Sequence, residues 1–165
     1  MPYTVGQTVV HPNHGAAVIE RTEDRDFQGE KREYLVFSVP EQDLVLKVPV
    51  EACDDVGIRE PVCKEDGEEL LERLRGKTKL KKGTWARQFK ARQRRVQSGD
   101  PEKVADVVRD LHVKYGEKGR LSAAEKRLQT KARKMLIGEL AAALDLDYEK
   151  TEAKVDEALE DATVA

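Results

Sequence analysis

Between residues 73 and 99 the chain carries eleven Lys or Arg side chains and not one Asp or Glu. The same stretch holds its only tryptophan, Trp85, with Phe89 one helical turn further on. Cations neutralise phosphates, and flat aromatic rings stack on bases or wedge between base steps, so the chemistry on offer is recognition of a polyanion. Two readings of the run stand side by side. A run of like charges can be no more than a solvated helix face, but eleven cations with no interleaved carboxylate repel one another, a cost that an external anion relieves. Trp85, Phe89, Arg92 and Val96 fall at i, i+4, i+7 and i+11, the spacing of a buried helix face. Trp85 nevertheless sits in the first turn, after Gly83-Thr84 and behind Lys77, Lys79, Lys81 and Lys82. There it can stand off the bundle, leaving a large apolar surface in water unless a ligand covers it.

Other reactive side chains offer less. His11 and His14, in His11-Pro12-Asn13-His14, have a spacing that could hold a metal. The stretch reads as a turn, though, and no carboxylate or thiol joins them at ligand spacing, so no metal is expected. Cys53 and Cys63 are expected to be unpaired and passive. His112, among valines, reads as a helix-surface or boundary residue. Gly-rich phosphate loops, a nucleophile elbow and paired Cys motifs are all missing from the sequence, so neither an enzyme nor a cofactor is expected.

The rest of the chain sharpens the contrast. The formal net charge is −2, yet outside residues 73–99 there are 19 basic and 32 acidic side chains. Residues 114–134 are positive again, eight bases against Glu117 and Glu125, whereas residues 139–165 carry nine acids and two bases. Such segregation predicts one basic surface on an acidic body. No apolar run approaches the roughly 18–20 residues of a membrane span. The opening residues lack a signal-like core, so a reduced, cytoplasmic protein is expected.

Composition also divides the chain. Eleven of 18 valines lie in residues 1–62 and 13 of 16 alanines in residues 63–165. Valine suits strands and alanine helices, which predicts an α+β protein: a small N-terminal β domain over 1–62 and a C-terminal bundle of four to five helices over 63–165. Strands are predicted at 7–11, 16–22, 32–39 and 43–50, bounded by Pro12-Asn13-His14-Gly15, Gln28-Gly29-Glu30 and Pro40-Glu41-Gln42-Asp43. So few short strands suggest a strongly bent, SH3-like sheet with an edge open to a partner's strand. Helix starts are marked by Thr84, by Asp100-Pro101-Glu102, by Ser122-Ala123-Ala124-Glu125 with its capping-box spacing, and by Asp147. Val104, Val107, Val108 and Leu111 form one predicted core stripe, and Leu128, Ala132, Met135, Leu136 and Leu140 another. Val155, Ala158 and Leu159 form a third.

At these residues the chain resembles the CarD family of bacterial transcription regulators over nearly its whole length. The resemblance rests on five strings in order: Val5-Gly6-Gln7-Thr8-Val9-Val10-His11-Pro12-Asn13-His14-Gly15-Ala16-Ala17-Val18; Lys31-Arg32-Glu33-Tyr34-Leu35-Val36; Val48-Pro49; Val104-Ala105-Asp106-Val107-Val108-Arg109-Asp110-Leu111; and Leu121-Ser122-Ala123-Ala124-Glu125-Lys126-Arg127. The last two look like the actinobacterial branch. The resemblance implies a Tudor-like N-terminal domain that binds the RNA polymerase β subunit. There the family's contacts are matched by Arg25, Phe27 and Lys47, the last usually arginine in relatives. Lysine keeps the charge but not the planar fork. It implies a helical domain that binds promoter DNA, largely independently of sequence, at the upstream edge of the melted region. Trp85 matches the family's minor-groove wedge, with Arg87, Lys90 and Lys126 as its basic helpers. A monomer stabilising the open promoter complex, nucleoid-associated through polymerase and away from membranes, is the function expected. The alternative is a polymerase-binding adaptor whose basic helices dock an acidic protein or RNA.

Overall fold

Alternation of apolar side chains decides the first unit of the chain. The computed structural model describes residues 3–80 and 82–165, with the side chains of Phe27 and Glu41 outside that description. Two compact units result, one ending at Pro61 and the other beginning at Val62. The first is a curled, Tudor-like antiparallel sheet of β1 (Thr8–His11), β2 (Gly15–Phe27), β3 (Glu30–Val39) and β4 (Leu44–Pro49), in the order β1-β2-β3-β4. Period-two burial sends Ala17 and Ile19 of β2, and Leu35, Phe37 and Val39 of β3, into one core with Val9, Val48, Cys53 and Ile58. After α1 (Cys53–Val56), the chain returns to pair Arg59 with Val10.

The β2–β3 hairpin is longer than the apolar pattern indicates. Burial of β2 stops at Ile19, where the register shifts between Ile19 and Arg21. The ladder nevertheless continues from Thr22 opposite Leu35 to Phe27 opposite Glu30. Gln28 and Gly29 close it with φ of 50° and 83°, the two positive values that a type I′ turn requires. The distal strand is thus held by backbone pairing and cross-strand neighbours rather than by a core, and alternation cannot reveal it.

Five helices make up most of the second unit among the described residues: α2 (Lys64–Leu74), α3 (Trp85–Gln97), α4 (Pro101–Lys118), α5 (Ala123–Leu144) and α6 (Tyr148–Glu160). The predicted caps are present. Thr84 accepts from the Arg87 amide, Asp100 from the amides of Glu102 and Lys103, and Asp147 from that of Lys150, while Ser122 and Glu125 form a reciprocal capping box. The three predicted core stripes are buried together with Leu70, Leu74 and Val96. Composition did not indicate β5 (Lys77–Thr78), which pairs in parallel with β6 (Thr163–Val164). Two residues are too few to show a period.

Around this small pair lies a polar lattice. Arg73 grips Asp106 with two hydrogen bonds of 2.8 and 2.9 Å, and Arg75 pairs with Asp161. Arg109 donates to Thr78 Oγ1 at 2.8 Å, and that hydroxyl donates to Asp110 at 2.9 Å. Thr78 is only 1% exposed. The connection into α3 therefore starts from a fixed point.

Removing the α4 cap with Asp100→Ala should cost about 1 kcal/mol. Leu111→Ala, which opens a cavity in the helical core, should cost about 2–5 kcal/mol. Urea unfolding followed by far-UV circular dichroism measures both, and the core change is expected to be the larger.

Candidate nucleic-acid interface

Helix α3 begins with cations where most helices begin with acids. Its first turn contains no Asp or Glu, so the positive end of the helix dipole and the Arg87 charge add instead of cancelling. Arg87 and Lys90 are exposed on α3 and Lys126 is exposed on the first turn of α5. Lys81, one of the cations ahead of the helix, lies outside the described residues.

The apolar line along α3 splits as it runs. Val96 is buried and Phe89 packs, half-buried, against the core, but Trp85 is 47% exposed. Its ring lies flat on Phe89, centroids 5.1 Å apart and planes 5° from parallel. Its Nε1 donates to Glu125 Oε1 at 3.1 Å. One face and the polar edge of the indole are thus fixed while much of the ring stays in water.

Glu125 is what ties the ring to α5. It is 3% exposed, and its carboxylate also accepts from Lys114 Nζ of α4 at 2.6 Å and from the Ser122 amide at 3.2 Å. Burial pushes its pKa up, but the hydrogen bonds from Lys114, Trp85 and Ser122 outweigh it and bring the group down to about 2. An ionised carboxylate therefore joins three helices and seats the indole one residue from Lys126. The capping-box spacing marks Glu125 as a cap residue. Its second use, as the indole's acceptor, depends on how α3 packs on α5 and leaves no local signal.

The basic run is less unbalanced in space than in sequence. Arg73, Arg75 and Arg95 meet Asp106, Asp161 and Asp110, acids that lie far along the chain. These three cations belong to the lattice around β5, whereas Arg87 and Lys90 stay on the surface.

In the first unit, Arg25 and Lys47 come together through a residue that motif reading did not single out. Both reach Glu23 Oε2, Arg25 Nε at 3.4 Å and Lys47 Nζ at 3.2 Å, while Arg21 donates to Glu23 Oε1 at 2.8 Å. Arg21, Glu23 and Arg25 are alternate residues of β2, and Lys47 stands two strands away, opposite Val36. Hydrogen bonds from Arg21 and then Lys47 hold the Glu23 carboxyl below its usual range. Three cations meet Glu23 and Arg21 also reaches Glu20 at 3.4 Å, so the cluster stays net positive. The Phe27 side chain lies outside the described residues, although its backbone ends β2.

Of the remaining candidates, His11 and His14 pack ring to ring, centroids 4.8 Å apart, and His11 Nδ1 accepts from the Asn13 amide at 3.1 Å, as befits a turn. Among the described residues no group of three His, Cys, Asp or Glu is arranged to hold a metal. Cys53 is buried, and burial raises its thiol pKa to about 11, while Cys63 is exposed. Among the described residues no helix is long and apolar enough to cross a membrane.

Comparison with known proteins bears on both units. Residues 3–62 match the model of the CarD-like/TRCF RID domain. Residues 69–156 match that of the CarD C-terminal domain. The chain is also similar to a Bacillus subtilis (strain 168) protein named "Putative transcription factor YdeB", 27% identical over 138 residues, which cover 84% of this chain and 90% of that protein.

Glu125→Gln isolates the carboxylate's charge, because Gln also serves at the third position of a capping box. It should destabilise the helical unit by about 1–3 kcal/mol by leaving Lys114 without its counter-charge. The pH dependence has a definite sign. A carboxyl lowered from 4.5 to about 2 contributes fully above pH 4.5, and that contribution is lost as the pH falls toward 2. Trp85 emission should shift as the pH falls to about 2 in the wild type, where the folded carboxylate protonates, and not in Glu125→Gln. Identical emission and melting in the two proteins would show that the carboxylate does not hold the ring.

Proposed function

The chain belongs to the CarD family of transcription regulators, and from that membership we propose that it stabilises the open promoter complex, its first unit on the RNA polymerase β subunit and its second on promoter DNA. The observation that carries the proposal is the indole of Trp85, half in water yet fixed by Phe89 and Glu125 beside exposed cations. Arg87, Lys90 and Lys126 neutralise phosphates and set position without reading bases. Trp85 enters the minor groove where the duplex is distorted at the upstream edge of the bubble. A wedge already held rigid loses little freedom on binding, so more of its contact energy survives as affinity.

The effect on initiation is a population shift. The ring has more to contact in an unwound groove than in a closed one, so it favours the open complex by that difference in affinity and no more. Tethering by the first unit raises the local concentration of the second near the fork. Arg25 and Lys47, with Phe27, would meet the β subunit. Glu23 sets the cost of that contact, because a carboxylate of the partner must share or replace it as their counter-ion.

Trp85→Ala should shorten the lifetime of the open complex roughly 5- to 150-fold, the span of a 1–3 kcal/mol coupling, while association with polymerase is retained. Filter retention of promoter complexes after heparin challenge measures the lifetime, and an unchanged value removes the wedge. Arg25→Glu or Lys47→Glu should weaken β-subunit binding in pull-down with the circular dichroism spectrum intact. Undiminished binding takes those residues out of the interface. Titration with forked and blunt DNA separates this reading from a protein or RNA adaptor. A wedge gives fork preference and a steep salt slope, an adaptor gives weak binding blind to structure.

A further inference from the structure

Beside the indole lies an open cleft of about 500 Å³. Its wall takes Trp85, Gln88 and Arg92 from α3, Lys114 and Lys118 from α4, and Lys82 from the connection before α3. Four of these six side chains are cations. Lys114 is committed to Glu125 at 2.6 Å, but no acidic side chain lies within ion-pairing distance of Lys82, Arg92 or Lys118 among the described residues. Arg92 occupies the i+7 position after Trp85, on a different side of α3 from Arg87 and Lys90, neither of which lines the cleft.

Three unneutralised positive charges converging on a concave space with an aromatic wall make an anion site with a stacking partner. The volume falls within the range of small-molecule sites. A base inside a duplex is covered above and below by its neighbours and cannot enter such a space, whereas a nucleotide lifted out of the stack can. We propose that this cleft is a nucleotide subsite: it takes one unstacked nucleotide of a single strand, the phosphate on Lys82, Arg92 and Lys118 and the base against Trp85. The source of that strand, the melted side of a promoter fork, rests on the reading given above. The subsite gives the protein a second way to tell open from closed DNA, because only an open fork offers a free nucleotide for the cleft.

Trp85 is the only tryptophan, so its fluorescence reports occupancy of the cleft in the intact chain. Oligo(dT), blunt duplex, forked duplex and dTMP are titrated against wild type and against Arg92→Ala combined with Lys118→Ala, neither of which removes an ion pair. Oligo(dT) should quench the wild type. In the double variant its affinity should fall about tenfold and the slope of log K against log salt by up to about 0.7, the one phosphate contact that the cleft makes. Blunt-duplex affinity should stay at the wild-type level. Unchanged oligo(dT) binding overturns the subsite, and so does an equal loss for oligo(dT) and blunt duplex, which would mark a general basic face. dTMP binding as tightly as oligo(dT) overturns the strand as the ligand in favour of a free nucleotide. If oligo(dT) behaves as expected but the open-complex lifetime on a promoter is the same with and without the protein, the subsite stands and the promoter reading fails.

Discussion

A buried carboxylate governs the candidate interface. Glu125 is removed from water, and an unpaired charge there would be costly, so its place in the fold depends on the donors that converge on it. Those donors come from the start of α3, from the middle of α4 and from its own helix cap. One charge thus specifies where three helices meet. The indole is the most exposed of these donors. Trp85 is therefore not a loose surface aromatic but part of the joint, with its remaining surface turned outward.

The same bundle sorts its cations by whether an acid can reach them. Arg73, Arg75, Arg95 and Arg109 are paired with Asp106, Asp110 and Asp161, and they brace the connection that leads to α3. Arg87, Lys90 and Lys126 are exposed instead. A shared sign of charge along the chain therefore divides into two jobs in space. In the sheet unit the arrangement is inverted, with Glu23 meeting three bases at the surface, of which Arg21 also reaches Glu20. Each unit presents positive charge, but one presents it already partly answered.

How much of this was legible follows from the range of each interaction. Caps depend on residues within one turn, so Thr84, Asp100, Ser122 and Asp147 could be read directly, as could the core stripes they introduce. The sheet's core strands were readable wherever one face is buried, and the far half of β2 was not, because no burial marks it. Trp85 was left between core and surface by its spacing, since the answer lies in what α5 offers its N–H. The contacts of Glu23 with Lys47, of Glu125 with Trp85 and Lys114, and of Asp106 and Asp161 with their arginines arise from folding rather than from sequence neighbourhood. Nothing local announces those contacts.

The short parallel pair of β5 and β6 has a consequence for the order in which the protein can be completed. Arg75 and its partner Asp161 are 86 residues apart. A ribosome adding roughly 5–20 residues per second needs about 4–17 s to cover that interval. Until it has passed, the cationic connection before α3 lacks the strand that fastens it, and once outside the ribosome it is exposed to whatever nucleic acid is near. The molecule acquires its final grip on its own charged segment only when synthesis has passed Val164.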